Sequence, residues 1–329
     1  MQSPPPNPES TRDIMRAVLR NEAAAVSRLA GSLPPGSLEA VERLLGCQGH
    51  VIVTGMGKMS AVARKFAATL CSTGTPATFL HPSEALHGDL GVVTGDQLLV
   101  ALSNSGETED VVALVPYMKR YQVPVIAITG SPRNALADNS DCVISLDFQS
   151  EADPVTDAPT CSTTATLAMC DALAIALVHR RGFTREQFAL VHPAGQLGKQ
   201  LLLTVGDLMQ RGQRLPLVDG DASLREAIVV ISAMGLGTGL VCDPHRKLLG
   251  ILTDGDLRRL LEKHRNPLEL PVHELMNANP LAIEAGRLAV EALNLMRQRS
   301  ITALPVTEGA TLTGLIHLHD LLRAGMGHP

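Results

Sequence analysis

Between residues 11 and 203, short apolar runs alternate with segments whose apolar residues recur at helical spacing. Each apolar run is closed by turn residues, as expected for buried strands. The pattern predicts five strands, at His50–Thr54, Ala77–Leu80, Gln97–Leu102, Pro124–Thr129 and Cys142–Leu146. Such alternation predicts an α/β fold, a three-layer αβα domain with a five-stranded parallel sheet.

Helical spacing is also clear at both ends of this segment. The predicted helices are Thr11–Ala30, Ser37–Leu45 and Ser162–Arg181, with a final helical stretch from Arg185 to Leu203. Residues 1–10 are rich in proline, which predicts a loose tail. The most apolar part of the long helix, Ala165–Val178, is expected to be too short to span a bilayer and contains Asp171, so no membrane partner is predicted.

From Thr204 onwards the pattern changes to an internal repeat. Val205-Gly-Asp-Leu-Met209 recurs as Val272-His-Glu-Leu-Met276, and Leu249–Leu257 recurs as Thr313–Leu321. A helix lies between the two motifs in each copy. We therefore predict two β-α-β-β-α modules, at 204–265 and 266–329, each with an incomplete core that packs against the other copy.

Composition excludes several classes of function. The 329 residues are 45% hydrophobic, which is enough for two cores, and the net charge is −5. With 2% aromatic residues and no Trp, a nucleic-acid partner is not expected. The six Cys form no CxxC pair and no zinc spacing, so we expect reduced thiols and no metal. The N-terminus lacks the pattern of a signal peptide, and a cytoplasmic location is predicted.

Two hydroxyl-rich turns precede predicted helices. Ser103-Asn-Ser-Gly-Glu-Thr108 follows a strand, and Thr160-Cys-Ser-Thr-Thr164 opens the long helix. Hydroxyls, free backbone N–H groups and a helix dipole together suit a phosphate. The alternative is a simple N-cap, for which one hydroxyl would suffice. Two such turns in one domain favour a shared phosphate site.

Four further residues lie in loops where proton transfer could be organised. Lys58 ends Thr54-Gly-Met-Gly-Lys58, which is not a complete dinucleotide fingerprint. His87, Glu151 and His192 are each more often solvated loop or capping residues when taken singly. Together they place a carboxylate and two imidazoles beside a phosphate site, which suits proton transfer on a phosphorylated sugar.

These motifs closely resemble the D-arabinose 5-phosphate isomerases, which consist of a sugar isomerase (SIS) domain and two CBS modules. The resemblance covers nearly the whole chain after residue 12 and is carried by TGMGK, RKFAATL, STGTP, HGDLG, SNSGE, STTATL, ILTDGDLRR, AVEALNLM and HDLLRAG. It implies a homotetramer with active sites at subunit boundaries, and no metal or redox cofactor. The implied catalytic residues are Lys58, His87, Asp110 (Glu in the family), Glu151 and His192.

The phosphate-binding residues expected from the motifs are Ser60, Ser103, Ser105, Thr108, Ser162 and Thr163. Two departures from the family pattern affect this site. Met59 replaces a Ser expected near the phosphate, for which Ser60 is the substitute, and the loop Ala152–Ala158 differs from the family's CPLGLA-like run. Both departures concern substrate affinity and preference rather than fold.

CBS modules often hold a nucleotide ribose with a Thr/Ser-x-x-Asp pattern. Thr253-Asp-Gly-Asp256 retains it, whereas His317-Leu-His-Asp320 has His in place of the hydroxyl. The repeat pair is therefore expected either to bind a nucleotide or CMP-sugar effector, through Thr253, Asp256 and Asp320, or only to assist assembly.

The expected function is interconversion of D-arabinose 5-phosphate and D-ribulose 5-phosphate through an enediol, supplying Kdo and lipopolysaccharide biosynthesis. Two alternatives remain open. The chain could bind a sugar phosphate as a sensor without turnover, or isomerise a different aldose phosphate.

Overall fold

A computed structural model of the chain describes residues 8–147 and 149–327. These residues form two compact units that divide between Phe188 and Ala189. The division lies upstream of the domain boundary predicted at residues 203 and 204, and the predicted domain limits stay predictions.

The first unit contains the predicted five-stranded parallel sheet, with strand order β2-β1-β3-β4-β5. Every neighbouring pair is parallel, and the strand bounds agree with the sequence prediction to within a residue at each end. The strands are β1 Val51–Gly55, β2 Ala77–Phe79, β3 Leu98–Ser103, β4 Val125–Thr129 and β5 Cys142–Ser145. The α/β prediction is confirmed.

Alternate residues of each strand enter two separate hydrophobic cores. In β3, Leu98, Val100 and Leu102 pack on one face with helices α2, α3 and α7, whereas Leu99 and Ala101 pack on the other with α4, α5 and α6. This double burial explains why the strands are continuously apolar rather than alternating. The helices of this unit are α1 Pro8–Gly31, α2 Ser37–Gly46, α3 Lys58–Ser72, α4 Pro82–Leu86, α5 Glu109–Arg120, α6 Ala135–Asp138 and α7 Cys161–Arg181.

The N-terminal helix is longer than the sequence pattern predicts. It begins at Pro8 rather than Thr11. Proline is tolerated there because the first helical N–H has no acceptor within the helix. Residues 1–7 of the predicted loose tail lie outside the described residues.

Helix α7 is long and apolar enough to cross a bilayer by length and composition, so the expectation that it is too short was wrong. Half of its most apolar window is buried inside the protein. Met169, Leu173 and Leu177 belong to the core between the sheet and α2 and α3. Such burial is typical of the central helix of a globular domain.

The second unit contains the predicted repeat as two three-stranded sheets, ordered β6-β7-β8 and β11-β10-β9. In each, one pair is parallel and the other antiparallel. Its strands are β6 Leu217–Asp219, β7 Thr238–Cys242, β8 Leu248–Thr253, β9 Ile283–Glu284, β10 Ala303–Glu308 and β11 Thr311–His317. Helix α8 Arg185–Val191 crosses the division between the units, and α9 Gln196–Leu202, α10 Val205–Leu208, α11 Leu224–Met234, α12 Asp254–Lys263, α13 Ala289–Arg299 and α14 Leu318–Arg323 follow.

The two modules exchange contacts reciprocally through the repeated motifs. Met209, which opens the first module, packs on Gly314 of the second, and Met276, which opens the second, packs on Gly250 of the first. A Cβ on either glycine would overlap the facing methionine sulfur, at 2.3 Å and 2.4 Å respectively. A further core joins the modules. The prediction that two incomplete copies pack against each other is confirmed.

Candidate active site

The carboxyl ends of β1, β3 and β5 lie at one edge of the sheet, and the segments that follow them form a cavity of about 480 Å³. This is the edge at which open α/β sheets bind their ligands. The lining residues are Met56, Lys58, Met59, Leu102, Ser103, Asn104, Ser105, Thr108, Ser150, Glu151, Asp157, Pro159, Ser162 and Thr163.

The turn after β3 is organised by its own hydroxyls. The Ser103 and Thr108 hydroxyl oxygens are 2.9 Å apart, and Ser103 Oγ also accepts the Gly106 N–H at 3.1 Å. Ser105 Oγ accepts the Glu107 N–H at 3.2 Å. Thr108 is the N-cap residue of α5, but its side chain makes no capping hydrogen bond. The turn is therefore more than a simple cap, and the helix N-terminus stays available to an anion.

Glu151 is held by the first turn of α7. Its Oε2 accepts three hydrogen bonds, from Thr160 N at 2.9 Å, Thr160 Oγ1 at 3.2 Å and Ser162 N at 3.2 Å. Burial raises the pKa of this carboxyl, but hydrogen bonds and the nearby Ser162 and Thr160 hydroxyls outweigh burial and leave the pKa below its ordinary value. All three of these hydrogen bonds reach Oε2 rather than Oε1.

Two hydroxyls of α7 also reach the cavity wall. Ser162 is 1% exposed, and its Oγ forms no regular hydrogen bond within the described residues, although it lies near enough to Glu151 to stabilise the charge there. Thr163 Oγ1 donates to Thr160 O at 3.0 Å. The Ser162 hydroxyl thus lies beside Glu151 on the cavity wall.

Lys58 begins α3 and is an exposed cation on the wall of this cavity. Glu151 and Asp157 are the carboxylates on the same wall. A cation in this position can attract a phosphate or stabilise negative charge on a sugar oxygen. Within residues 8–147 and 149–327, no group of three His, Cys, Asp or Glu side chains is arranged to hold a metal ion.

Four of the residues named from the sequence do not line the cavity. Ser60 Oγ donates to Gly57 O at 2.7 Å, and His87 is an exposed residue at the C-cap of α4. Asp110 accepts the Ser83 hydroxyl at 2.6 Å, which ties α5 to α4. His192 belongs to the second unit, in the turn after α8, where its carbonyl accepts the Gly195 N–H.

The cavity also contains residues that the sequence analysis did not name as ligand contacts. Asn104 lies between two predicted contacts and could have been found from that position. Ser150, Asp157 and Pro159 belong to the loop around Glu151, whose path has no periodic signal. Met59 is 8% exposed, so the residue that departs from the family pattern contributes an apolar surface to the site.

A separate cavity of about 610 Å³ lies in the second unit. Thr253 and Asp256 are on its wall and form a reciprocal cap at the start of α12, with Thr253 Oγ1 donating to Asp256 Oδ2 at 2.6 Å. Burial opposes ionisation of Asp256, but hydrogen bonds from Thr253 and Arg259 prevail and lower its pKa. The remaining lining residues are Thr238, Ile251, Arg259, Asn277, Asn279, Pro280, Leu281, Arg299, Ser300, Ile301, Thr302 and Ala303.

The corresponding position in the second module has different partners. Asp320 accepts hydrogen bonds from His317 N at 3.2 Å and from Gln210 Nε2 at 2.8 Å, and it is not on the wall of the 610 Å³ cavity. His317 is 9% exposed, and burial lowers its pKa. The two copies of the Thr/Ser-x-x-Asp position have thus diverged.

Comparison with known proteins shows what this arrangement resembles. The SIS domain family matches residues 44–176, and the CBS domain family matches residues 205–263 and 272–327. Arabinose 5-phosphate isomerase KdsD of Escherichia coli K12 is 46% identical over 311 residues, which cover 94% of this chain and 95% of that protein. The chain belongs to the arabinose 5-phosphate isomerase family. The resemblance inferred from the motifs is confirmed.

Further relatives are consistent with this membership. The KdsD isomerase of Pseudomonas aeruginosa is 44% identical over 306 residues, 93% of this chain and 94% of that protein. The solved structure of E. coli CFT073 c3406 in complex with A5P has 39% sequence identity and a TM-score of 0.56. It covers 57% of this isomerase-family chain and 100% of its own.

Gly106→Ala should disrupt the turn after β3. Gly106 has φ +70°, and a Cβ there would lie 2.0 Å from the Asn134 side chain. We expect the dissociation constant for D-arabinose 5-phosphate to rise about ten- to a hundredfold, measured by calorimetry. Gly46→Ala is the control, because no atom lies within 4 Å of its Cβ position. Unchanged affinity in Gly106→Ala would show that the turn does not bind the ligand.

Thr160→Val should raise the pKa of Glu151 towards its ordinary 4.5, because a hydrogen bond that stabilises the carboxylate is lost. A carboxylate base with a lowered pKa stays ionised to lower pH, and the activity that depends on the ionised form is lost as the pH falls through that pKa. The acid limb of kcat/KM should therefore move to higher pH in Thr160→Val, whereas Thr160→Ser should retain the wild-type limb. Circular dichroism at each pH is the control for unfolding. An acid limb that does not move in Thr160→Val would contradict the expectation that Glu151 is the base.

Proposed function

We propose that this chain interconverts D-arabinose 5-phosphate and D-ribulose 5-phosphate. The observation that carries the proposal is the single cavity in which ionised Glu151, Lys58 and the Ser103–Thr108 turn occur together. An aldose–ketose isomerase needs a base, a cation for the developing enediolate and an anchor for the phosphate. The names of the KdsD relatives and the A5P complex of c3406 support this substrate.

In the proposed reaction Glu151 takes the proton from C2 of the open-chain aldose through Oε1. The electron pair forms the C1–C2 double bond while the π pair of the C1=O carbonyl moves onto O1, and Lys58 stabilises the negative charge on this enediolate oxygen. The same proton returns to C1, while the O2 hydroxyl proton moves to O1, which gives the ketose without any oxidant or cofactor. Ser103, Ser105, Thr108, Ser162 and Thr163 hold the phosphate.

The remaining family positions are proposed in supporting roles. His87 and His192 would move hydroxyl protons or assist ring opening. Asp110 would act through Ser83, because that 2.6 Å hydrogen bond fixes α4, the helix for which His87 is the C-cap residue. Ser60 would reach the phosphate only after giving up its bond to Gly57 O.

The chain is further proposed to act in the cytoplasm as a homotetramer that supplies Kdo and lipopolysaccharide biosynthesis. Support for self-association comes from α1, where Ile14, Met15 and Leu19 are 54%, 62% and 66% exposed. Large apolar side chains clustered on two turns of one helix are typical of an interaction surface.

For the CBS pair we propose one nucleotide or CMP-sugar site rather than two. Thr253 and Asp256 line an open cavity that also contains Arg259 and Arg299, which suit a phosphorylated ligand. In the second module, the Gln210 side chain already donates a hydrogen bond to Asp320, and His317 stands where the first module has the Thr253 hydroxyl. Assembly without a ligand is the competing role.

Glu151→Gln should reduce kcat by about 10²–10⁴ while D-arabinose 5-phosphate still binds, because the amide cannot accept the carbon-bound proton. Wild type and variant are assayed against a panel of pentose and hexose phosphates, with Val155→Ala as a same-loop control. Binding without wild-type turnover would favour the sensor, and turnover of another sugar alone would favour a different isomerase. Full activity in Glu151→Gln would refute the assigned base.

Adenine or cytidine nucleotides, or a CMP-linked sugar, should raise the unfolding midpoint of the wild type by roughly 2–6 °C when near saturation. Thr253→Val should lose this ligand-dependent rise, whatever the cost of its lost helix cap. Asp320→Asn is the matched control and should keep it. A midpoint that stays fixed for every ligand would leave the pair as an assembly module.

A further inference from the structure

Asp157 is a carboxylate on the wall of the active-site cavity, and it has no role in the reaction proposed above. It lies in the loop between Glu151 and α7 and shares the cavity with Lys58 and the Ser103–Thr108 turn. We propose that Asp157 determines specificity by binding the hydroxyl groups of the sugar chain. The proposal rests on the proposed function, because it assumes a phosphorylated sugar in this cavity.

The loop is shaped by a different aspartate, so Asp157 is not needed to hold it. Asp153 accepts hydrogen bonds from Val155 N at 3.2 Å, Thr156 N at 3.1 Å and Thr156 Oγ1 at 2.5 Å. Among the described residues, the Asp157 carboxylate has neither a hydrogen-bond donor nor an ion-pair partner. Asp153 is used by the loop, whereas Asp157 is available to a ligand.

The backbone at Asp157 is also unusual. Its φ is +51°, in the left-handed region that few side-chain residues other than Asn and Asp adopt. Strained backbone conformations of this kind are often found where a side chain must be directed to a ligand. The turn formed by Asp153 immediately precedes this residue and fixes where the strained position falls.

The charge of Asp157 decides which part of the ligand it can contact. A carboxylate accepts hydrogen bonds from hydroxyl groups and repels a phosphate dianion. The phosphate is therefore expected at the Ser103–Thr108 turn and the start of α5, because the backbone N–H groups at the start of α7 already hold Glu151. The hydroxylated carbons then extend towards Glu151 and Asp157, so that Asp157 favours ligands with a polyhydroxylated chain over a bare phosphate.

Binding of two ligands by the full chain separates this role from a structural one. Calorimetry measures the dissociation constants of D-arabinose 5-phosphate and inorganic phosphate for wild type, Asp157→Ala and Asp157→Asn. In Asp157→Ala the sugar phosphate should bind about ten- to a hundredfold more weakly, because hydrogen bonds to a charged group are lost. Inorganic phosphate should bind equally well or a few-fold more tightly, because a like charge has been removed. Asp157→Asn should show the same gain for phosphate and a smaller loss for the sugar.

Val155→Ala is the control, since Val155 is 86% exposed in the same loop and does not line the cavity. It should leave both dissociation constants unchanged. Unchanged sugar-phosphate affinity in Asp157→Ala, or an equal weakening of both ligands, would overturn the proposal. Failure of the isomerase assignment would be seen differently, as wild-type binding of D-arabinose 5-phosphate without turnover.

Discussion

Helices cover both faces of the five-stranded parallel sheet, and this constraint determines where polar chemistry can occur in the first unit. Both faces of β3 are buried in apolar cores, so its interior residues cannot meet a soluble ligand. The ends of the strands are not covered in this way, and the cavity that contains Glu151 lies at their carboxyl ends. Because all strands run in the same direction, the turns after β1 and β3 and the segment after β5 come together there. The cavity is a consequence of the topology.

At the carboxyl ends of the strands, the position of Glu151 depends on α7 and α1. Backbone N–H groups at the start of α7 hold one carboxylate oxygen. Helix α1 holds the same segment from outside, since Glu22 accepts the Thr164 hydroxyl at 3.1 Å and Ala25 packs with Ala152 and Cys161. The hydrogen bonds that fix the geometry also keep the carboxyl ionised. A proton-transferring base is thus oriented and charged by the same groups.

The repeated modules show how a shared fold can carry different polar chemistry. The reciprocal packing of Met209 on Gly314 and of Met276 on Gly250 preserves the backbone relation of the two copies. The polar positions are free of that constraint. One copy keeps Thr253 and Asp256 on an open cavity, whereas in the other Gln210 donates to Asp320. Steric fit maintains the duplication, and divergence of side chains makes the pair asymmetric.

The sheet, the long helix, the duplication and the hydroxyl-rich turns could all be predicted from the sequence, because each leaves a local pattern. Apolar runs mark β1 to β5, Ser103 is the last residue of β3, and Thr108 and Ser162 lie at helix starts. The family motifs predicted Lys58 and Glu151 as site residues, and both line the cavity. Only in the folded chain is it seen that Asp110 bonds to Ser83 and Ser60 to Gly57. The same is true of Asp157, which lines the cavity, whereas Asp153 does not. These distinctions depend on the path of loops and on side-chain direction, which have no periodic signature in the chain.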